Sequence, residues 1–448
     1  MARKDQPKIS QCMIVKNEEK NIERALLWGK GIVAEQIVVD TGSTDRTVEL
    51  AEKMGAKVYS FAWIDDFSAA KNFAISKATG DWIAFLDADE YFSDEDAKKI
   101  PALLAKLSGE CESVLTAMLQ LDDAGLVKAV DTHMRLFRRH PDLRYKNRIH
   151  EFLSFRGERP PRFWDATQEL SIIHTGYTET ENKRKRDEGR NLRLIQRELM
   201  EDPDNYEMLV YLGNEYETLE KWDLAEDAYR RAIALMPGSV KGDYDVLTSG
   251  CAFRFLELLA VVPGKNESDM MEIYEWAVEN WPEEGDFSYI VGNYYAVKGD
   301  YVAGERYLRK ALETMERYGT SRRSSLTSAK IMETYELLAV CCLNNGDREE
   351  CVRYTTALLK ENRYLMTTAM LFIVAFRQDL AKTGQEKSGA SKVAALLGKS
   401  FYDFTSLKDR IFVLRAAMDA RYPELIEVIR GLFTPEELAQ VDRALNKT

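Results

Sequence analysis

The sequence predicts a two-part architecture: an α/β domain with a mostly parallel, Rossmann-like sheet, followed by an all-α solenoid of helical repeats. Three observations carry this. The first hundred residues alternate apolar runs with amphipathic ones. From residue 206 the periodicity changes to helical pairs. A chain of 448 residues also exceeds one ordinary core, since about 150 residues per domain suggests two or three.

In chain order, "ISQCMIV", "EQIVVD", "KVYSF" and "DWIAFLD" are strand-like, with helical patterns near residues 19–29, 45–54 and 67–78. A βαβαβαβ series of this kind predicts crossover helices and ligands bound beyond the carboxyl ends of the strands. The polar motifs fall there. Asp40 ends the second strand and opens "DTGSTDRT", where Gly42 allows a tight turn and Asp45 can cap the next helix. "DADE", Asp87 to Glu90, follows the fourth strand. A mixed strand region runs to about 175, and the charged stretch "ENKRKRDEGRNLRLIQREL" has the character of a connecting helix.

With Tyr206 as position one of a unit of about 34 residues, Leu209, Leu212, Gly213, Tyr216, Ala225, Tyr229, Ala232 and Pro237 occupy the positions of a tetratricopeptide (TPR) repeat. Small residues let paired helices approach, and the proline stops the second helix. A second unit near Gly285 keeps Val291, Gly292, Tyr295, Gly304, Leu308 and Ala311; a degenerate third near Met332 keeps Leu338 and Ala339. A decayed helical pair is expected between the first two, near 251–282, with an insertion around "PGKNESD". The last helix should begin at "TPEEL", capped by Thr434 and led by Pro435. The expected domains are the α/β domain at 1–180, a connecting helix at 181–205, repeats at 206–380 and a helical region at 381–448.

Composition narrows the function. No segment approaches the roughly 18 apolar residues of a membrane span, and "MARKDQPKIS" leaves no apolar stretch for a secretory signal. Six cysteines without a CxxC pair indicate neither a disulfide framework nor a zinc ribbon. A cytoplasmic, bacterial-type soluble protein is expected. The net charge of −12 opposes nucleic acid as a partner but permits a local basic pocket for phosphates. "GKGIVA" imitates a dinucleotide fingerprint by letters only, because it precedes a strand instead of following one.

Asp87 and Asp89, one residue apart at a strand end, are costly together unless a cation intervenes. They therefore invite a divalent metal, although an Asp-x-Asp after a strand can also be only a polar loop. Asp45 reads as turn and cap chemistry, whereas Asp40 points off a strand end toward a ligand. Arg135 and Arg138 in "MRLFRR", and Lys183 to Arg186 in "KRKR", can answer diphosphate charge or form solvated faces. Phe137 and Trp164 are better suited to core packing than to stacking on a sugar or base.

The order "MIVKNEE", "VVDTGSTDRT", "DDFSAAKNFAISKATGDWIAFLDADE" resembles the family-2 glycosyltransferases of GT-A fold over residues 8–95. By that resemblance Asp40 would contact the uracil or ribose end of a UDP-sugar donor. Asp87 and Asp89 would hold Mn²⁺ or Mg²⁺ and the diphosphate. Asn72 would lie near the donor beside Lys71, which stands where an arginine is expected. The order "RLFR", then His150-Glu151, then "HTGY" resembles a repeat-bearing subgroup that includes the peptide S-glycosyltransferases of glycosylated bacteriocins. It implies that His174 is a third metal ligand, where the plainer alternative is a satisfied histidine at a sheet end. Inverting transfer needs a base opposite the leaving group; Glu151 is the candidate, with His150 as an alternative base or an orienting group.

The expectation is thus a metal-dependent inverting hexosyltransferase that moves sugar from a nucleotide donor to a peptide or protein acceptor held by the repeats. A cell-surface glycan acceptor is the second reading. The third is a repeat scaffold whose nucleotide-sugar domain no longer catalyses. Stacking of terminal repeat helices also allows a homodimer.

Overall fold

The computed structural model describes residues 6–122, 124–157, 159–175, 189–242, 247–319, 324–382 and 386–445. It divides into two compact units, Met1–Glu215 and Tyr216–Thr448.

The first unit grows from four parallel strands. β1 (Ile9–Val15), β2 (Glu35–Asp40), β3 (Lys57–Ser60) and β4 (Trp82–Phe85) lie in the order β3-β2-β1-β4. Crossover helices α1 (Ile22–Leu27), α2 (Thr47–Lys53) and α3 (Phe67–Lys77) connect them. Alternation along the strands divides the burial: Cys12, Ile37, Val39, Ile83 and Phe85 pack with Ala74 and Ile75 of α3. Met13, Val15 and Val38 pack with Ile22, Leu26, Leu50 and Ala51 of α1 and α2. Helices cover both faces, so these strands are nearly continuous apolar runs. Register sets Val15 opposite Asp40, and Asp40 opposite Ser60, so the loops after β1 and β2 emerge together at the carboxyl edge.

Beyond β4 the sheet becomes mixed, in the order β4-β7-β6-β11-β5. These strands are β5 (Glu90–Phe92), β6 (Ser113–Leu121), β7 (Val127–Arg138) and β11 (Ser171–His174), with α4 (Asp94–Lys106) between β5 and β6. β10 (Phe163–Asp165) adds to β6, and β8 (Leu143–Lys146) with β9 (Phe152–Phe155) forms a separate hairpin. Register places Glu90 opposite His174, and His174 opposite Gln120, so three polar side chains line up across β5, β11 and β6. The unit ends with α5 (Arg190–Glu201) and the first part of α6 (Tyr206–Thr218).

The second unit is helical throughout its described elements. The stretch expected to hold a decayed pair contains α8 (Ser249–Val261) and α9 (Glu267–Asn280), after α7 (Trp222–Leu235). The expected insertion is only the short connection between α8 and α9. In α10 (Asp286–Lys298) and α11 (Tyr301–Tyr318) the small residues of the repeat perform a steric task. A Cβ at Gly292 would come within 2.7 Å of the Leu308 amide nitrogen, and one at Gly304 within 3.0 Å of that of Ala296. After α12 (Ser325–Ala329), α13 (Ile331–Asn345) and α14 (Arg348–Glu361) hold the third unit, with Leu338 and Ala339 fully buried.

Five helices follow: α15 (Met366–Lys382), α16 (Glu386–Ser400), α17 (Leu407–Asp419), α18 (Pro423–Arg430) and α19 (Pro435–Leu445). One hydrophobic cluster runs from Leu359 to Val441, so the core continues across residue 380. Thr434 accepts the Glu437 amide at 3.3 Å, forming the cap expected before Pro435. Among the described residues no helix is long and apolar enough to cross a membrane.

Candidate active site

The loops leaving β1 and β2 are laced to each other. Asn17, at φ +59°, accepts the Thr44 amide at 2.8 Å, while the Asn17 amide donates to Ser43 Oγ at 2.9 Å. Asp40 accepts the amides of Gly42 and Ser43 at 3.1 Å, and Asp45 accepts the Thr47 amide at 3.0 Å. The turn chemistry assigned to Asp45 alone is therefore shared by Asp40, whose carboxylate closes its own loop.

Beside this edge, β4 runs into Asp87 and Asp89, and four carboxylates gather around two cations. Lys71, on α3 and 2% exposed, lies 2.7 Å from Glu151 Oε1 and 3.4 Å from Asp87 Oδ1. Its ammonium also sits over the rings of Phe85 and Tyr145. Arg135, on β7, donates to Glu90 Oε2 at 2.9 Å, to Glu90 Oε1 at 2.5 Å and to Asp87 Oδ2 at 3.2 Å. Asp89 faces His174, with 3.2 Å between Oδ2 and Nε2.

The charges follow from this geometry. Burial opposes the ammonium of Lys71, but Asp87 and Glu151 outweigh it and raise its pKa. Burial likewise disfavours the Asp87 carboxylate, yet Lys71 and Arg135 hold it well below the usual carboxylate range. Glu90 is pushed up by burial and by the charge of Asp87, against the pull of Arg135. Lys71 and Arg135 thus pair with Asp87, Glu90 and Glu151, while Asp89 pairs with His174.

His174 borders this cluster: burial works against its protonated form, but the hydrogen bond to Asp89 and the nearby carboxylate charges raise its pKa. Its Nδ1 faces Gln120 Oε1 and its Nε2 faces Asp89. With Nδ1–H donating to Gln120, a neutral ring turns the Nε2 lone pair toward a carboxylate oxygen. That arrangement is unfavourable unless a proton or a metal lies between them. Carboxylate oxygen with imidazole nitrogen is also a donor set that Mn²⁺ accepts. Among the described residues, however, no three His, Cys, Asp or Glu side chains converge as a preformed metal site. The two oxygens of Asp87 are engaged by Lys71 and Arg135.

The remaining expectations separate. Asn72 turns to the protein: its amide donates to the Tyr145 carbonyl at 2.9 Å and accepts the Tyr145 amide at 3.0 Å, fastening β8 to α3. His150 has its Nε2 buried without a hydrogen-bond partner among the described residues, and burial lowers its pKa to about 4. Arg138 donates to the carbonyls of Cys111 at 2.7 Å and Ser108 at 3.0 Å. Phe137 is core, as expected, but Trp164 is 48% exposed, contrary to the packing role given to it. Lys183 to Arg186, with the Gly176 and Tyr177 of "HTGY", lie outside the described residues.

Sequence reasoning missed Glu90, Gln120 and Tyr145. Glu90 had a signal, as a third acid within "DADE" on a strand that also buries Phe92. Gln120 and Tyr145 had none, because each acquires its neighbours through long-range pairing.

Residues 10–155 match the family described as Glycosyl transferase family 2. The chain is 40% identical to a TPR repeat-containing protein of Synechococcus elongatus over 38% of this chain and 42% of that protein. It is 31% identical to the SPbeta prophage-derived glycosyltransferase SunS of Bacillus subtilis over 52% of this chain and 54% of that protein. An uncharacterized glycosyltransferase of Rickettsia felis matches at 46% over 22% of this chain and 34% of that one. The chain thus spans about half, or less, of the length of these relatives. Its first unit carries a family-2 glycosyltransferase domain.

Proposed function

We propose that this protein is an inverting glycosyltransferase that moves a sugar from a UDP-linked donor to a peptide or protein side chain, with a divalent metal at Asp89 and His174. The observation that carries the reading is the cluster of Asp87, Asp89, Glu90 and Glu151 at the carboxyl end of β4, within a family-2 domain. In this reading Asp40, at the neighbouring strand end, takes the nucleoside, and Lys71 and Arg135, which pair with Asp87, answer the diphosphate charge. A metal held by Asp89 and His174, joined by Asp87, would supply charge against the departing diphosphate.

In this reading the acceptor oxygen or sulfur attacks the anomeric carbon, and the bond from that carbon to the diphosphate oxygen breaks with its electron pair. Glu151 takes the acceptor proton. The Lys71 ammonium, 2.7 Å away, orients that carboxylate. Repeats over 206–380 form surfaces suited to an extended peptide, in keeping with a peptide or protein acceptor.

Calorimetry with UDP and Mn²⁺ tests the site: saturable binding that EDTA abolishes is expected, and no binding at all would reject the reading. Glu151→Ala tests the base. A hydroxyl acceptor should lose about 10²- to 10⁴-fold in rate. A thiol, with a reference pKa of about 8.5, should lose less. Equal losses on serine and cysteine peptides would remove Glu151 from that role.

A further inference from the structure

Glu151 sits in a short segment between β8 and β9 that is held almost entirely by elements distant in sequence. On one side the amino end of α3 grips it: Ser68 Oγ donates to the Asn147 carbonyl at 2.6 Å, and the Phe67 amide donates to the Arg148 carbonyl at 2.9 Å. On the other, Arg148 reaches α5, donating to Glu201 at 2.6 Å and, through its amide, to Glu198 at 3.3 Å. His150 follows in the left-handed region at φ +51°, a conformation that an L-residue adopts only when its surroundings impose it.

The surrounding that imposes it is a ring. The imidazole of His150 lies flat on Tyr211 of α6, with centroids 3.6 Å apart and an interplanar angle of 6°. Both residues belong to the first unit. His150 Nε2 is buried and has no hydrogen-bond partner among the described residues. Such an arrangement earns little as a hydrogen-bonded anchor. Its effect is to fix the backbone immediately before Glu151.

We infer that Tyr211 is a positioning residue: by stacking on His150 it holds the left-handed turn that sets the Glu151 carboxylate on Lys71. This rests on the reading of Glu151 as the base. It also makes a helix with the repeat signature part of the support of the reaction centre. Without the ring, the backbone at His150 is free to leave its unfavourable φ, and the carboxylate beyond it shifts.

The test compares Tyr211→Ala, which removes the ring, with Tyr211→Phe, which keeps it. Turnover is followed with Mn²⁺, a serine peptide and whichever of UDP-glucose, UDP-galactose and UDP-N-acetylglucosamine is consumed fastest. Tyr211→Ala should lower kcat about 10-fold or more, with donor KM within about twofold, and Tyr211→Phe should restore wild-type kcat. In a Glu151→Ala background, Tyr211→Ala should add no further loss, because both act through one carboxylate. An unchanged kcat in folded Tyr211→Ala, or a loss that multiplies with that of Glu151→Ala, overturns the inference. If Tyr211→Ala does not fold, Tyr211→Leu carries the same comparison. Amide exchange of residues 147–151 reads the inference separately from turnover. It should quicken in Tyr211→Ala but not in Tyr211→Phe, and equal exchange in both rejects the positioning role even if no sugar is transferred.

Discussion

The two ends of the first unit's sheet both carry clustered charge, and they use it differently. At the amino end of β6, Glu112 is clasped by Arg159 at 2.8 and 2.9 Å and by the amide and guanidinium of Arg162 at 2.8 and 3.3 Å. One carboxylate there meets two guanidinium groups that remain 41% and 59% exposed. At the carboxyl end of β4, Asp87, Glu90 and Glu151 share Lys71 and Arg135, both largely withdrawn from water, and Asp89 faces His174. An ion-pair cluster therefore does not by itself mark a site. The two ends differ in their cations: the guanidinium groups at Glu112 face solvent, whereas Lys71 and Arg135 are only 3% and 14% exposed, so an unpaired charge there is costlier.

The largest expected effect breaks the two ends apart by function. Asp89→Asn removes the carboxylate facing His174 and should cut sugar transfer by about 10²- to 10³-fold. Glu112→Gln should leave transfer near wild type. Initial rates with Mn²⁺ and a UDP-sugar measure both, and comparable losses would show that the carboxyl end has no special standing.

A stability comparison comes next. Lys71→Met keeps the apolar stem but strands Glu151 and Asp87 without their shared ammonium, and should cost about 3 kcal/mol. Arg159→Met, at an exposed pair, should cost under about 1 kcal/mol. Chemical denaturation of the two variants decides, and similar midpoints would mean that burial at Lys71 carries no penalty.

The contrast also explains how much could be read in advance. β1 to β4, the motifs at their ends and the helical pairs follow from local periodicity, so their approximate bounds were legible. Asp87, Asp89 and His174 could be singled out because acids after a buried strand, or a histidine ending one, depart from the local pattern. The ion pair between Lys71 and Glu151 could not be, since α3 and the β8–β9 segment come together only through the completed sheet. The link from the Asn72 amide to Tyr145 was hidden for the same reason. The Arg138 that looked like a partner of Arg135 ends on the carbonyls after α4, because three residues along β7 carry it from one end of the site to the strand pair at Trp82.

The smallest effect sharpens the same comparison through pH. The Glu112 carboxyl is held down at about 2, first by its hydrogen bonds from Arg159 and then by the Arg162 amide and both guanidinium charges. Its ordinary value is about 4.3. A depressed folded-state pKa contributes stability that is fully present above the unfolded value and is lost as pH falls through the folded one. Glu112→Gln should therefore cost about 1–2 kcal/mol at pH 7, discounted for the exposed arginines, and roughly half of that at pH 3. Urea midpoints of the two proteins at both pH values measure the gap. A gap that stayed constant, or widened in acid, would mean that Glu112 is retained for packing and not for charge. The amino end of the sheet would then offer no electrostatic reference for the site at the other end.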